Sequence, residues 1–196
     1  MEQEAKAPVS PFLLYGAIIG GVAVVVNLVF YLTGMIAKGW TSYLMLFIMF
    51  GALIGTLFMY RAEHLGGYGY YKQYLGITIL SVLLASLISA LFWFMMITLI
   101  DSSILDQQKL EAQKRIPKTL ERFEKLAGGF SAEEYDDALE ESLDKIEQSK
   151  VLNTPWINAL MSFIGSFFML LPLSFLAPVF ALRKRPEGAP VNLDQQ

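Results

Sequence analysis

The sequence predicts an all-α integral membrane protein, with four transmembrane helices and an extramembrane helical hairpin between helices three and four. Three observations predict it. Four long stretches contain no Asp, Glu, Lys, Arg or His, and a hydrocarbon core about 30 Å thick needs only about 20 such residues of helix. The chain is 55% hydrophobic and 17% charged with a mean hydropathy of +0.47, whereas soluble domains are roughly 25% charged. The charges are also segregated: 13 of the 18 acidic and 8 of the 15 basic residues lie between Asp101 and Thr154.

Residues 1–100 therefore read as an N-terminal tail and three spans, 101–154 as a polar insert, 155–185 as the fourth span and 186–196 as a flexible tail. The first span runs from Phe12 to Thr33. It exceeds the apolar region of a signal peptide, and its leader carries two Glu against one Lys, so it reads as uncleaved. The loop Gly34 to Gly39 leads into the second span, Trp40 to Tyr60. A Gly- and Tyr-rich turn from Arg61 to Gln73 precedes the third, Tyr74 to Ile100. The fourth, Pro155 to Leu182, opens on Thr154-Pro155, a hydroxyl N-cap with proline at the first helical position. Pro172 and Pro178 fall inside it, as a static kink or a hinge.

The insert carries its own helical code. Ala112, Ile116, Leu120, Phe123 and Ala127 recur every three or four positions, until Gly128-Gly129 stops the pattern. Ser131 with Glu134 has the spacing of a capping box, and a second stripe follows through Tyr135, Leu139, Leu143 and Ile146. Glu111 with Arg115, Glu121 with Lys125 and Glu141 with Lys145 are i,i+4 pairs, each worth about 0.2–0.5 kcal/mol. Pro117 should bend or split the first of these helices.

Within the spans, Gly16 with Gly20 and Gly51 with Gly55 have GxxxG spacing, which lets another backbone approach one helical face. They read chiefly as packing sites within the bundle, with a partner helix or a second copy as the alternative. Asn27 is the most polar side chain deep in a span. It reads as a hydrogen-bonding contact between helices, although a ligand-binding amide would look the same. Phe130, at the turn of the insert, and Tyr135 are candidate partner contacts. Trp40, Tyr43, Trp93 and Trp156 at one set of span ends, and Tyr68, Tyr70 and Tyr71 at the other, suit the two aromatic belts of a membrane protein.

Orientation follows the basic residues flanking the spans. Lys6, Arg61, Lys72, Arg183, Lys184 and Arg185 share one side against Lys38 in the short loop opposite. Both termini are thus expected in the cytoplasm, with the insert outside.

Several chemistries lack their residues. No cysteine is present, which excludes disulfides, thiolate metal sites and thiol nucleophiles. There is no basic stripe for nucleic acid, and no phosphate-loop spacing near Gly66-Gly67. Arg61, Glu63, His64 and Lys72 form one charged cluster at a span end, which reads as a solvated helix terminus. No cofactor or metal is expected.

Tyr15-Gly16 with Gly20, Gly51 with Gly55, the Gly67-to-Tyr74 turn, the polar insert and the basic end together resemble an uncharacterised bacterial membrane family, domain of unknown function 4199, common in Bacteroidota. The resemblance spans about residues 12–185. It implies a four-helix inner-membrane protein with a helical insert before the last span, and no activity. The family's proximity to genes for family 2 glycosyltransferases and the cell envelope implies an accessory role in envelope assembly. A noncatalytic accessory or interaction protein is the expected function. The alternatives are a small transporter of uncharged or lipid-like cargo and an intramembrane enzyme. The expected partners are the lipid bilayer, another membrane or envelope protein, and a second copy of the chain.

Overall fold

In a computed structural model the described residues, 11–36, 38–65, 67–127 and 132–182, form helices joined by short connections. Four helices are long and apolar enough to cross a membrane. They are α1 (Pro11–Leu32), α2 (Thr41–His64), α3 (Tyr71–Met95) with its π-helical extension Met96–Ile100, and α7 (Pro155–Ala181). Between the last two lie α4 (Ser103–Ala127), α5 (Ala132–Glu147) and a single turn, α6 (Lys150–Asn153), which the sequence pattern did not signal. Phe130, Ser131, Lys6 and the Arg183-Lys184-Arg185 cluster lie outside the described residues.

The four long helices form a ring in which α1 and α7 each pack against both α2 and α3. The α1–α3 contact is the most extensive. These two helices run parallel at a nearly constant sequence offset: the Ser81 hydroxyl donates to the Phe12 carbonyl, Gly16 faces Leu84, Gly20 faces Ile88, and the Tyr31 hydroxyl donates to Asp101. A Cβ at Gly16 would stand 2.9 Å from Leu84 Cβ, and one at Gly20 would stand 2.9 Å from Ile88 Cβ. Such close approach is why only a hydrogen side chain suits these positions. At Gly51 and Gly55 an added Cβ would meet nothing within 4 Å, so the same spacing on α2 faces open space.

The bundle is apolar outside as well as in its core, and buries several hydroxyls. Thr56, Thr78, Ser81, Ser86 and Ser174 are buried, while Leu32, Phe47 and Leu99 are each more than 70% exposed. Most buried hydroxyls return a hydrogen bond to their own helix, as Thr56 does to Leu53, Thr78 to Tyr74 and Ser174 to Leu171.

Three turns set how the helices connect. Gly34, at φ +64°, closes α1: its N–H donates to the Tyr31 carbonyl and that of Met35 to Phe30, a Schellman cap. The π-helical turn ends where the Asp101 N–H reaches Met96. There Met96, Ile97, Ile104 and Leu105 bury themselves against Tyr31, Phe92 and Trp93, fastening the start of α4 to the bundle. At the start of α7, Pro155 occupies the first turn as expected, but the Thr154 hydroxyl makes no cap bond.

Pro117 does not split α4, and α7 runs as helix through Pro172 and Pro178. Pro117 itself is half-buried, and one backbone carbonyl of the preceding turn is left without its N–H partner. Along α4 and α5 the stripe residues Ala112, Ile116, Leu120, Tyr135, Leu139, Leu143 and Ile146 are half-buried, and the two helices touch. Of the charge pairs, Lys145 bonds Glu141 at 2.7 Å, whereas Glu111 takes Lys114 at 3.2 Å. The Arg115 guanidinium lies beside Gly39 instead, bringing α4 over the α1–α2 loop.

The glycines and the α3–α4 junction each generate a prediction. Gly16→Ala and Gly20→Ala should destabilise the bundle by about 1–3 kcal/mol through overpacking. Gly51→Ala and Gly55→Ala should leave it unchanged or raise its stability by up to about 1 kcal/mol, because alanine is the better helix former in open space. Thermal unfolding in detergent reads both signs. At the junction, Asp101 accepts the Ser103 N–H at 2.9 Å and the Tyr31 hydroxyl at 3.2 Å. The bonds to Ser103 lower its pKa below the ordinary carboxylate value. Its contribution is therefore present above the unfolded-chain pKa, near 3.9, and is lost as pH falls through the lower folded value. The stability lost between pH 5 and pH 2.5 should be smaller in Asp101→Asn than in the parent.

Candidate functional site

A cavity of about 480 Å³ opens inside the ring of helices. Ala23, Asn27 and Phe30 of α1, Met45 and Met49 of α2, Ser86, Ser89 and Trp93 of α3, and Asn158 through Leu170 of α7 contribute to its wall. Gln108 of α4 with Val151 and Leu152 of α6 lines it too, so the polar insert supplies part of the wall at one end.

One hydrogen-bonded relay holds that end together. The Trp93 indole N–H donates to Asn158 Oδ1 at 2.8 Å, and Asn158 Nδ2 donates to Gln108 Oε1 at 3.0 Å. Asn158 is buried, and its two amide atoms thereby join α3, α4 and α7. A buried amide left without partners is costly, so this pairing strongly favours one seating of α4 on the bundle.

Asn27 sits differently. It is half-buried on the cavity wall and makes no hydrogen bond to any described residue. Ser86 is only 1% exposed and its hydroxyl has no partner among the described residues, in contrast to the self-satisfied Thr56, Thr78 and Ser174. Every residue of the lining is uncharged.

A second cluster lies at the opposite end of the bundle. Tyr15, buried in α1, donates its hydroxyl to Glu63 Oε2 at 2.8 Å. His64 Nε2 lies 4.0 Å from the same oxygen, and Tyr60 packs against the rings of Tyr15, His64 and Tyr74. Arg61 donates to the Ala181 carbonyl at 3.1 Å and lies over the Phe58 ring at 4.8 Å. Glu63 and Arg61 thus join the end of α2 to α1 and α7. The described residues contain no group of three or more His, Cys, Asp or Glu arranged to hold a metal ion.

Of the residues singled out from the sequence, Gly16 and Gly20 lie against α3, and Gly51 and Gly55 face outward. Asn27 lines the cavity, and Tyr135 is half-buried on α5. Trp40, Tyr43 and Trp156 are exposed, whereas Trp93 turns inward to bond Asn158. Sequence reasoning missed Asn158, Gln108 and Ser86. Asn158 carried a usable signal, since it is an uncharged amide in an apolar run, as Asn27 is.

The family model described as "Protein of unknown function (DUF4199)" matches residues 14–183. The chain belongs to this family. The match takes in all four long helices, the insert, the cavity wall and the Tyr15–Glu63 contact. No curated protein and no solved structure matches.

Asn158→Leu puts an apolar side chain of similar size in place of the amide and strips the Trp93 indole and the Gln108 amide of their partner. It should destabilise the protein by about 1–3 kcal/mol, read as a lowered unfolding midpoint in detergent. Hydrogen exchange should rise in α4 more than in α1.

Proposed function

We propose that the chain is a noncatalytic accessory protein of the bacterial inner membrane that acts by binding another membrane or envelope component. The apolar exterior supports a membrane setting: large side chains such as Phe47 and Leu99 point outward while Ser and Thr point inward, a pattern that would be an aggregation liability in water. Trp40, Tyr43 and Trp156 are exposed at one end and Tyr70 at the other, where amphipathic rings favour the lipid headgroups. The basic flanks put both termini and the Arg61-to-Gln73 loop in the cytoplasm. The insert then folds as an α4–α5 hairpin outside.

The fastening of the insert carries this reading. Asn158 bonds Gln108, holding a surface rich in both charges in a defined position over the bundle end, as a docking platform requires. The enzyme alternative depends on Glu63 and His64, and Glu63 is engaged in joining α1 to α2. A second reading, carriage of uncharged or lipid-like cargo, draws support from the neutral cavity. Gly51 and Gly55, open on α2, provide a face for a partner helix or a second copy, and Phe130 and Tyr135 mark the insert's candidate contacts.

Two experiments test the proposal. A cytoplasm-active reporter fused after residue 70 or 196 should work, and one fused after residue 130 should fail; the reverse pattern overturns the orientation. Crosslinking in the native membrane, read by mass spectrometry, should capture a partner that is lost when residues 106–150 are deleted. Capture of nothing, with solute movement by the purified protein in liposomes, would favour the carrier. Turnover of a lipid-linked substrate that depends on Glu63 or His64 would favour the enzyme.

A further inference from the structure

We infer that the cavity within the helix ring is a binding site for one uncharged amphiphile from the membrane, a molecule with an alkyl or prenyl chain and a hydroxyl or carbonyl group. The inference rests on the membrane reading above but requires neither a protein partner nor transport.

Size and shape come first. The cavity's 480 Å³ falls within the range of about 300–1,000 Å³ common to small-molecule sites. Its α7 wall extends from Asn158 to Leu170, roughly 18 Å at the helical rise. A space of that volume and length is narrow, and suits an extended chain better than a compact polar solute. Met45, Met49, Met161 and Met169 line it. Unbranched, polarisable thioethers adapt to a flexible chain at little cost in strain.

The polar groups define the head. Asn27, half-buried on the wall, presents to this space an amide with no partner among the described residues. Polar groups out of water are normally paired, so an occupant that accepts from Asn27 or donates to it recovers an interaction that the described residues leave open. Charge selects against other lipids. A phosphate would enter a lining without Lys or Arg, and an unpaired buried anion is far costlier than an unpaired hydroxyl.

The test uses the full chain in phosphatidylcholine nanodiscs, with Trp40→Phe and Trp156→Phe leaving Trp93 on the cavity wall as the single fluorophore. A monoacylglycerol brominated at mid-chain is the probe, and a lysophosphatidic acid with the same chain is the control. Monoacylglycerol should quench Trp93 saturably, with one molecule per chain in native mass spectra, and at least tenfold more tightly than lysophosphatidic acid. Gly165 lines the cavity and an added Cβ there meets nothing within 4 Å, so Gly165→Leu adds bulk at the wall from a position with room for its first carbon. That variant and Asn27→Leu should each weaken binding at least tenfold while unfolding at the parent's temperature. Linear, unsaturable quenching overturns the inference, as does equal binding of the two lipids or indifference to both substitutions. Release of the protein from membranes by alkaline carbonate would instead overturn the membrane reading itself. Stable incorporation without binding removes only the cavity site.

Discussion

The architecture turns on a single amide. Asn158 stands in the first turns of the last long helix, where its oxygen takes the Trp93 indole proton and its nitrogen gives one to Gln108. Without that double engagement, the insert would be linked to the bundle through its covalent ends, the small cluster of Met96, Ile97, Ile104 and Leu105, the contact of α6 with α7 and the approach of Arg115 to Gly39. With it, α4 lies across the end of the helix ring and becomes part of the cavity wall. A polar group far from water gains most from bonds whose geometry is unique, which is why one side chain specifies the seating of a whole segment.

The helix ring obeys a complementary constraint. Large apolar side chains occupy its outside as well as its core, and among Ile19, Leu53, Leu57 and Tyr74 the inside also holds alanine, serine and threonine, whose small size allows close helix contact. Gly16 and Gly20 bring α1 against α3 over a parallel seam that continues to Tyr31 and Asp101. At the other end of the bundle, Tyr15 and Arg61 tie α2 to its neighbours through Glu63 and the Ala181 carbonyl. Between these fastened regions the ring leaves a space that is uncharged, lined by methionines, and faced by the Asn27 amide, which has no partner among the described residues.

The four long helices were legible because a membrane demands long runs without charge, and those runs are visible in any window of the chain. The ends were less so: α2 continues past Tyr60 to His64, because Arg61 and Glu63 find partners on other helices that sequence does not display. The GxxxG spacing identified where a backbone may be approached but not by what, which is why Gly16 and Gly51 look alike in sequence and differ in surroundings. Trp93 resembled a belt residue, and only its contact with Asn158, 65 positions away, draws it inward. The cavity was illegible for the same reason. It arises from four helices at once, and its clearest sign in the sequence was Asn27, an amide whose partner could not be named.

The most direct test of this account is a double-mutant cycle between Gln108 and Asn158, measured by unfolding in detergent with each residue replaced singly and together by Ala. A direct bond predicts a coupling energy of about 0.5–3 kcal/mol. Additivity of the two substitutions to within about 0.3 kcal/mol would contradict it, and would leave the insert's position over the cavity without its physical cause.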